Sequence, residues 1–397
     1  MKKSSPARLS LTMIEPLGEG GWARYSFCLL SRLAPRLGRV VLFTASSTPW
    51  RGENLPFRLR PSLFGVSNRL IAFFRLQRFR RLRRLLKALE LPLNHFRILA
   101  WCLARKPDIL HFQAAYWLEA LIIPLYSRLG IRLFYTAHDL LHHPPYPGDR
   151  FLFRRLYRKL DGIIVTAQVL KRRLIEEFGV EAEKIAVIRM GNIDDPEAPP
   201  GVSPARARSE LGLPAGDPVV LFFGIIREYK GLDILLRAFA LLPGKVDSAR
   251  LLIAGEPIGD FAPYQEEIDR LRIGGRVKIF AGFIPPDRTP LFFSAADLVV
   301  LPYRESYTSA VIPLAYSYGR PVVASRVGGL GEYVSEGMSG YTFEPGDSQD
   351  LAEKISFILS DRETAGRMER FIPAYYRDNF SWEEIADATR SFYLEGI

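Results

Sequence analysis

The chain alternates between short apolar runs and helical patterns, and this alternation constrains the fold more than any other feature of the sequence. Six apolar runs occupy the first half: LSLTMI, RVVLFTA, DILHFQ, RLFYTAHD, GIIVTA and KIAVIRM. Five occupy the second half: VVLFFG, RLLIAG, VKIFAG, LVVLP and PVVAS. Such runs between amphipathic stretches are typical of buried strands in a parallel sheet. We therefore predict an α/β fold with two doubly wound, Rossmann-like domains that face a central cleft.

A segment without apolar periodicity separates the two sets of runs. Residues 194–218 are rich in Pro and Ala, which is typical of a linker between domains. We predict one domain over residues 1–193 and a second over residues 219–375. A C-terminal helix over residues 376–397 is expected to cross back to the first domain. Ligands of doubly wound sheets bind beyond the carboxyl ends of the strands, so the informative motifs are those that follow a strand.

Positive charge is concentrated in the first half of the chain. Residues 1–200 contain 33 Lys and Arg against 16 Asp and Glu, whereas the remainder contains 21 against 27. This asymmetry predicts an anionic partner for the first domain. The sequence shows no signal peptide and no apolar run long enough to span a membrane, and Cys28 and Cys102 lack metal or disulfide spacing. We expect a cytoplasmic protein that binds peripherally at the inner membrane face.

The densest positive charge lies in RLIAFFRLQRFRRLRRLLKALEL, residues 69–91, which has eight cations before its single acid. A helix here would carry Arg80, Arg84 and Lys87 on one face. The opposite face would be apolar, formed by Leu76, Phe79, Leu82, Leu86 and Leu89. A basic amphipathic helix is typical of binding to an anionic membrane. The alternative is a helix packed on the core with a solvated basic face. Nucleic acid is disfavoured because no recognition motif accompanies the charge.

The first predicted strand is followed by GEGGWARY, residues 18–25, at a predicted helix start. Glycines let the backbone approach a ligand, and a helix N-terminus attracts phosphate. Gly18, Gly20 and Ala23 also fit the dinucleotide fingerprint G-x-G-x-x-A of NAD(P)-dependent oxidoreductases. The second strand ends in TASSTPW, however, and offers no acid to a ribose. A ligand-binding loop, a dinucleotide site and a plain tight turn all stay open.

Two cations follow the strand that ends at Gly224, in FFGIIREYKG. Arg227 and Lys230 stand three residues apart at a predicted helix start, where the helix dipole disfavours positive charge. A diphosphate between them would explain both, because Arg offers a two-pronged donor and Lys a point charge. The alternative is a solvated surface pair.

The stretch TAHDLLHHPP, residues 136–145, places His138 at the end of a strand. His138 is a candidate for contact with a ligand, and a packed, hydrogen-bonded histidine is the alternative. A metal site shared with Asp139, His142 and His143 is disfavoured by the prolines and by the lack of a fourth well-spaced ligand.

The stretch RESYTSAVIPLAYSYGRP, residues 304–321, follows another strand and places a carboxylate and hydroxyls at a predicted helix start. Such a cluster suits sugar hydroxyls and phosphate oxygens better than helix capping, which would use one hydroxyl only. The candidate residues are Glu305, Ser306, Thr308 and Ser309. After the next strand, Gly328 and Gly329 again permit close backbone approach, and Glu332 follows them.

Five stretches resemble the family-four glycosyltransferases of the GT-B fold over nearly the whole chain, and their order along the chain is the specific part of the resemblance. That order is the early Gly-Gly loop, the strand-end His138, FFGIIREYKG, the stretch that begins at Glu305, and GG-x-x-E at residues 328–332. The resemblance implies transfer of a hexose from a nucleotide-diphosphate sugar, with retention of configuration and without a metal or other cofactor. Several roles follow from it. Gly20 and Gly21 would let the backbone approach the donor phosphate or the acceptor. Arg227 and Lys230 would stabilise the leaving diphosphate, and His138 would contact the donor sugar.

The family's E-x7-E signature is incomplete in this chain. Glu305 resembles its first Glu, which binds donor hydroxyls, but counting forward from Glu305 places the second on Pro313. Counting back from the G-R-P at 319–321 places the pair on Ser306 and Leu314. The chain therefore resembles a variant with a single Glu.

We predict a hexosyltransferase that acts on a glycan or lipid-linked acceptor at the cytoplasmic membrane face, in the synthesis of a cell-surface polysaccharide or glycolipid. The alternatives are an NAD(P)-dependent oxidoreductase and a non-catalytic subunit that kept the GT-B fold.

Overall fold

The computed structural model of the chain describes residues 9–74, 79–115, 117–141, 147–193, 202–242 and 244–395. The chain divides into two compact units. Unit 1 comprises Met1–Arg189 and Ile385–Ile397, and unit 2 comprises Met190–Glu384. The chain therefore enters the second unit before residue 219, the predicted start, and its last residues belong to the first unit.

Unit 1 contains a parallel sheet of seven strands within its described residues. The strands are β1 (Leu11–Glu15), β2 (Val40–Ala45), β3 (Arg58–Leu63), β4 (Ile109–Phe112), β5 (Arg132–Ala137), β6 (Gly162–Val165) and β7 (Ile185–Val187). Their spatial order is β3-β2-β1-β4-β5-β6-β7. The helices are α1 (Gly21–Leu33), α2 (Gly65–Phe73), α3 (Arg80–Arg105), α4 (Trp117–Ile122), α5 (Asp149–Lys159) and α6 (Gln168–Phe178). The strand order reverses at β1, so the loops after β1 and β4 flank the switch point at which such sheets bind ligands.

Every side chain of β1, β2, β4 and β6 is buried. Strands of a doubly wound sheet are covered on both faces, which explains why runs such as VVLFTA do not alternate with polar residues. All six strands predicted in this half are present. The edge strand β3 was not predicted, because its sequence RLRPSL is partly exposed and is interrupted by two Arg and a Pro.

Unit 2 contains a second parallel sheet, with six strands in its described residues. The strands are β8 (Val219–Phe223), β9 (Arg250–Gly255), β10 (Val277–Ala281), β11 (Leu298–Leu301), β12 (Val322–Ser325) and β13 (Gly340–Phe343). Their spatial order is β10-β9-β8-β11-β12-β13, with the switch point between β8 and β11. The helices are α7 (Pro204–Glu210), α8 (Leu232–Ala240), α9 (Ala262–Arg270), α10 (Thr289–Ala295), α11 (Val311–Ser317), α12 (Ser348–Ser360) and α13 (Arg362–Phe380). The edge strand β13 was not predicted, whereas the other five were.

The linker predicted over residues 194–218 needs correction, because helix α7 lies inside it. Ser203 caps this helix by accepting a hydrogen bond from the backbone N–H of Arg206 (3.3 Å). Arg208 pairs with Asp297 at 2.6 Å, and Ala207 is buried in the core of unit 2. Pro is tolerated in a first helical turn and Ala favours helix, so the same composition that suggested a linker also permits this helix.

The basic stretch also differs from the prediction of one helix over residues 69–91. Two helices, α2 and α3, occupy it, and α3 continues to Arg105. Leu89 and Leu93 of α3 are exposed, whereas Glu90 and Asn94 are buried. Leu82 and Leu89 of the predicted apolar face therefore do not pack on the core, although other apolar residues of α3 are buried: Leu91, Ile98, Trp101 and Cys102.

The C-terminal region forms two helices rather than the predicted one: α13 and then α14 (Trp382–Leu394). The indole N–H of Trp382 donates to the backbone oxygen of Asn192 within unit 2 (2.7 Å). From Ile385 onward α14 belongs to unit 1, where the Tyr393 hydroxyl hydrogen-bonds to Nδ1 of His111. Arg132 of β5 donates to the backbone oxygen of Tyr393 at 2.6 Å.

Candidate functional site

A buried carboxylate shapes the loop after β1. Glu15 ends β1 and accepts hydrogen bonds from the backbone N–H groups of Leu17 (2.9 Å) and Gly18 (2.7 Å), and from the Thr44 hydroxyl (3.0 Å). Burial raises the pKa of Glu15, and these hydrogen bonds oppose the rise. A Cβ on Gly18 would lie 2.7 Å from the Cβ of Ala45, so the loop passes too close to β2 for a side chain.

Gly20 and Gly21 begin helix α1 immediately after this loop. Gly20 has φ 83° and ψ −173°, a conformation open mainly to glycine, and a Cβ there would meet nothing within 4 Å. Both glycines are exposed, and the first turn of α1 has no acidic residue. The first N–H groups of a helix lack partners within the helix, so this end of α1 suits a phosphate or another anion.

His138 follows β5 and lies against α1. Its buried ring stacks on Trp22 with centroids 5.3 Å apart and meets the edge of Tyr25 at 5.0 Å. The ring Nε2 is 3.3 Å from Oε1 of Gln113, whereas Nδ1 has no hydrogen-bond partner among the described residues. Burial lowers the pKa of His138 to about 3, so the ring is neutral at physiological pH. It can exchange a hydrogen bond with a ligand, but it cannot supply positive charge.

In unit 2, glycines allow the loops after β8, β9, β11 and β12 to meet at one end of the sheet. At three glycines a Cβ would come within 1.9 Å of a backbone oxygen. The contacts are Gly255 with Gly224, Gly231 with Pro302, and Gly328 with Ser306. All three glycines have positive φ, which other residues rarely adopt. The close approach of these loops therefore depends on glycine at each position.

Lys230 lies at the centre of this arrangement. Its Nζ donates a hydrogen bond to the Tyr303 hydroxyl (2.8 Å) and stands 4.5 Å from the centre of the Tyr303 ring. The Tyr303 hydroxyl is also 3.3 Å from Oγ of Ser309. A Cβ on Gly224 would lie 3.6 Å from the Lys230 ammonium, so the strand end and the cation are neighbours. This network holds one positive charge at the switch point.

Arg227 precedes a 3-10 turn and Lys230 is its last residue, so the two do not stand at the predicted helix start. The turn is Glu228–Lys230, and α8 begins only at Leu232. The Lys230 N–H donates to the backbone oxygen of Arg227 (2.9 Å), which keeps the two residues within one turn of each other. Arg227 is exposed, with no ion pair among the described residues. Its guanidinium is therefore open to an anionic ligand.

A second arginine joins the loops that carry these residues. Arg304 forms a two-pronged ion pair with Asp233 of α8, with distances of 2.8 and 2.7 Å. Its backbone N–H donates to the backbone oxygen of Tyr229 (2.7 Å). Burial alone would raise the pKa of Asp233, but the hydrogen bonds and charges of Arg304 and Arg237 hold that pKa below its usual value. Arg304 thereby fixes the loop after β11 against the loop after β8.

The predicted helix start at Glu305 needs correction, because α11 begins at Val311 and residues 304–310 form an irregular loop. The Ser306 hydroxyl donates to the backbone oxygen of Thr308 (2.8 Å), and the Ser309 hydroxyl accepts from the Val311 N–H (3.3 Å). These two hydroxyls shape the loop itself. Glu305 is exposed and has no side-chain partner among the described residues, so its carboxylate is open to a ligand.

The loop after β12 supports the loop after β11. Besides the contact of Gly328 with Ser306, the Gly329 N–H donates to the backbone oxygen of Tyr307 (3.1 Å). Glu332 lies half-buried in the 3-10 turn Leu330–Tyr333 that follows. Gly328 and Gly329 therefore position the residues around Glu305 by direct backbone contact.

Of the three cations predicted for membrane or acceptor contact, Lys87 has a described side chain, and it does not lie on an exposed face. Arg80 and Arg84 lie in α3, and their side chains are outside the described part of the structure. Lys87 is half-buried above the Phe64 ring, 5.2 Å from its centre. Burial and the charge of Arg83 lower the pKa of Lys87, while nearby carboxylates oppose the change. Its predicted placement on an exposed basic face is corrected.

Two sets of residues are thus defined, one in each unit. In unit 1, Gly20, Gly21 and His138 adjoin the N-terminus of α1. In unit 2, the loops at the switch point gather the other predicted site residues: Gly224, Arg227, Lys230, Glu305, Ser306, Thr308, Ser309, Gly328, Gly329 and Glu332. Across the described residues, no three His, Cys, Asp or Glu side chains come together as ion ligands. His142 and His143 lie outside those residues.

The sequence analysis missed Glu15, Tyr303 and Arg304, which hold the loops in place. A signal existed for Glu15, since an acid at the end of an apolar strand and just before glycines is a natural acceptor for backbone N–H groups. Tyr303 and Arg304 gave no comparable signal. Their partners, Lys230 and Asp233, are about seventy residues away in the chain.

Comparison with known proteins agrees with this architecture. The family model described as "Glycosyltransferase Family 4" matches residues 19–192, and "Glycosyl transferases group 1" matches residues 205–374. The D-inositol 3-phosphate glycosyltransferase of Mycolicibacterium smegmatis is 33% identical over 309 residues, which cover 73% of this chain and 68% of the relative. The chain belongs to the family-four glycosyltransferases of the GT-B fold. A relative of the same name from Acidothermus cellulolyticus is 30% identical, with 73% and 67% covered.

Solved structures show the same fold for this glycosyltransferase. Anabaena HepE in complex with UDP and glucose superposes with a TM-score of 0.72 at 20% identity and covers 98% of this chain and 100% of HepE. Sucrose-phosphate synthase from Thermosynechococcus elongatus gives 0.71 at 22% identity, with 98% and 99% covered. The family models and the relatives at 30–33% identity show that the protein is a nucleotide-sugar-dependent glycosyltransferase. An NAD(P)-dependent oxidoreductase and a non-catalytic subunit, the alternatives drawn from the sequence, are not supported.

Proposed function

We propose that this glycosyltransferase transfers a hexose, with retention of configuration and without a metal, from a nucleotide-diphosphate sugar to a glycan or lipid-linked acceptor. It would act at the cytoplasmic face of an anionic membrane, in the synthesis of a cell-surface polysaccharide or glycolipid. The observation that carries the proposal is the Lys230 ammonium, held against Gly224 and Tyr303 at the switch point of unit 2.

Unit 2 has the features that departure of a diphosphate requires. Negative charge develops on the leaving group, and fixed positive charge stabilises the transition state most where that charge appears. Lys230 is held by a neutral phenol, and Arg227 has no ion pair among the described residues, so both keep their charge for the ligand. We assign the leaving diphosphate to these two residues. Gly328 and Gly329 would bring backbone close to the donor.

Glu305 would bind hydroxyls of the donor sugar, as the single acid of the E-x7-E variant. Its carboxylate is exposed, whereas the Ser306 and Ser309 hydroxyls are engaged within the loop. A carboxylate accepts up to four hydrogen bonds, which suits neighbouring sugar hydroxyls. In unit 1, the neutral His138 would offer its Nδ1 to the sugar or the acceptor.

Two acceptor classes compete for the remaining role. The excess of Lys and Arg in residues 1–200 and the outward apolar face of α3 favour a lipid-linked, membrane-bound acceptor. The names of relatives at 30–33% identity favour a soluble cyclitol phosphate instead. The structural neighbour described as a lipopolysaccharide outer core galactosyltransferase, WaaB, shares the fold at 16% identity. We favour the lipid-linked acceptor because α3 has no other described use for its exposed leucines.

A thermal-shift panel with UDP, GDP, ADP, dTDP, NAD and NADP tests the donor. A ligand at about 100 times its dissociation constant adds about 2.7 kcal/mol of stability, which is readily measured. We expect one nucleoside diphosphate to stabilise the protein and both dinucleotides to have no effect. Stabilisation by NADP alone would overturn the proposal. Hydrolysis and transfer assays with the matching nucleotide sugar, with D-inositol 3-phosphate or membrane lipid extract, then separate the two acceptor classes.

Glu305→Gln and Ser306→Ala form a matched pair that tests the single-Glu assignment. We expect Glu305→Gln to weaken binding of the nucleotide sugar about tenfold, while affinity for the free nucleoside diphosphate stays near that of the wild type, because charge-assisted hydrogen bonds to the sugar are lost. Ser306→Ala should change neither affinity appreciably. Titration calorimetry with both ligands measures the difference. The reverse pattern would show that the signature aligns on Ser306.

A further inference from the structure

We propose that the outward faces of α2 and α3 form an insertion surface that enters an anionic lipid bilayer. This inference rests on the proposed membrane-bound acceptor and identifies which surface of unit 1 reaches the lipid. It differs from the sequence-based expectation, in which the basic face of one helix makes the contact. Here apolar side chains enter the bilayer, and the cations lie beside them.

The surface consists of exposed apolar side chains that share one face of α3. Leu89 is 69% exposed and Phe96 is 67% exposed, although side chains of this size are usually buried. Along α3 the exposed apolar residues are Leu82, Leu85, Leu89, Leu93, Phe96, Leu99 and Leu103. Successive members are three or four residues apart, so they form a continuous stripe. Over 26 residues the helix is about 39 Å long.

Helix α2 also carries exposed apolar side chains, and polar contacts fix it to α3. The Glu90 carboxylate accepts hydrogen bonds from the backbone N–H groups of Val66 (3.1 Å) and Ser67 (2.7 Å) at the start of α2. Asn94 accepts from the Phe64 N–H at 3.3 Å. Exposed apolar residues continue on this part of the chain: Val66, Leu70, Phe73, Phe74 and Phe79. The buried face of α3 thus combines apolar side chains, such as Leu91 and Ile98, with the polar groups that hold α2 in place.

The positive charge of this region favours an anionic bilayer as the partner of the insertion surface. Between residues 54 and 107 the sequence contains 13 Lys and Arg and a single acid, Glu90, which is buried. An apolar stripe flanked by cations suits the headgroups and acyl chains of an anionic leaflet. A second copy of the chain would bring two such positive surfaces together, which like-charge repulsion disfavours. A bilayer neutralises the cations and buries the leucines in one step.

Co-sedimentation of the full chain with vesicles tests the surface. The vesicles contain equal parts phosphatidylglycerol and phosphatidylcholine, or phosphatidylcholine alone. We expect the wild type to bind the anionic vesicles and to bind the neutral ones more weakly. Leu89→Gln combined with Phe96→Gln should weaken binding to anionic vesicles at least about tenfold, because two large apolar side chains no longer leave water.

The matched control is Leu241→Gln combined with Phe357→Gln. These residues of unit 2 are also exposed and apolar, at 50% and 47%, but they lie outside the stripe. The control should bind vesicles like the wild type. Circular dichroism and the thermal shift with the nucleoside diphosphate verify that both double variants are folded. A fluorescent label on Leu89→Cys, which is selective because Cys28 and Cys102 are buried, should shift to the blue with anionic vesicles.

Three outcomes would overturn the inference. The wild type could remain in the supernatant with anionic vesicles, or the Leu89/Phe96 variant could bind them as well as the wild type does. Alternatively, the wild type could sediment as a dimer that the same variant dissociates, which would assign the surface to a second copy. The vesicles carry neither donor nor acceptor, so failure here leaves the test of hexose transfer intact. If the wild type binds vesicles normally but transfers no hexose, the proposed function is wrong while the insertion surface stands.

Discussion

At the scale of single residues, Lys230 is held by a phenol rather than by a carboxylate. Its Nζ donates to the Tyr303 hydroxyl at 2.8 Å, and no acid of the described chain lies within ion-pair distance of it. A carboxylate partner would neutralise the ammonium and compete with an anionic ligand. A neutral hydroxyl fixes the position of the ammonium while leaving its charge for the diphosphate.

Lys230→Ala should lower kcat at least about a hundredfold, because the leaving diphosphate loses its point charge. Tyr303→Phe keeps the ring beside the ammonium but removes the hydrogen bond, and we expect a loss of about tenfold. Lys278→Ala removes a distant exposed cation of β10 and serves as the control. Steady-state kinetics with the identified donor measure all three. Near-normal turnover by Lys230→Ala would contradict the assignment.

His138 makes unit 1 sensitive to acid. Its pKa is about 3 in the folded chain, because of burial, against the usual 6.5. Between these two values, His138 is protonated in the unfolded chain but not in the folded chain. The free energy of unfolding therefore falls as the pH drops from about 6.5 towards 3. Buried His111 acts in the same direction, since its pKa is also lowered to about 3.

His138→Leu should consequently reduce the loss of stability between about pH 7 and about pH 5, whatever its effect at neutral pH. Thermal midpoints of the wild type and the variant across this range give the two slopes. Equal slopes would show that His138 titrates normally in the folded state. The neutral ring also predicts that no His138 ionisation appears in the pH profile of activity above about pH 5.

At the scale of elements, the close approach of two loops depends on Gly328. Its φ is 50°, and a Cβ there would lie 1.9 Å from the backbone oxygen of Ser306. Gly319 offers a matched control, since its φ is 68° and a Cβ would meet nothing within 4 Å. Both substitutions to Ala carry the same left-handed strain, but only one also produces a clash.

Gly319→Ala should destabilise the fold by about 1 kcal/mol, the usual left-handed penalty. Gly328→Ala should cost clearly more than that and should also weaken donor binding, because the loop with Glu305 must move. Urea unfolding and titration with the nucleoside diphosphate provide the two readouts. If both variants behave alike, the contact with Ser306 is not needed for either property.

The sequence predicted elements well where burial dominates. All eleven predicted strands are present, because strands covered on both faces need unbroken apolar runs. Two edge strands were missed, each for its own reason. Strand β3 is partly exposed and is interrupted by two Arg and a Pro, and β13 is a run of only four residues, GYTF, that begins with Gly. Local composition also failed at Val311, where the helix begins six residues after Glu305, because the loop is shaped by contacts with Gly328 and Tyr229 that are distant in sequence.

The sequence predicted which residue types follow the strands of the candidate site. It did not predict the hydrogen bonds and contacts that join those residues. Helix α3 shows the same limit for surfaces. Its leucines were taken as either a membrane face or a core face, and periodicity fits both equally. Which side faces the core is decided by contacts distant in sequence: Ile98 and Trp101 are buried, and Glu90 hydrogen-bonds to the backbone of α2.

At the scale of the whole molecule, unit 1 is completed by the last residues of the chain. Tyr393 packs on Phe134 with ring centres 4.9 Å apart, and Phe392 does so at 5.5 Å. A chain ending at Glu384 loses these rings and buried Ile385, each worth about 1.5–3 kcal/mol. We expect unit 1 to unfold at a lower temperature, while unit 2 still responds to the nucleoside diphosphate.

A chain ending at Leu394 retains all of these side chains and is the control. Differential scanning calorimetry with and without the nucleoside diphosphate separates the two transitions. An unchanged unit 1 transition in the shorter chain would show that α14 adds little to the first core.

This arrangement sets an order on biosynthesis. Residues 9–189 leave the ribosome before Phe392 and Tyr393 are synthesised. Until then, the aromatic surface at Phe134 and His111 of the first unit stays uncovered. The sheet made first is thus completed only after the residues from Ile385 onward have been synthesised. Truncated chains that end before residue 385 keep this surface exposed, so chaperones and proteases can distinguish them from the chain that contains α14.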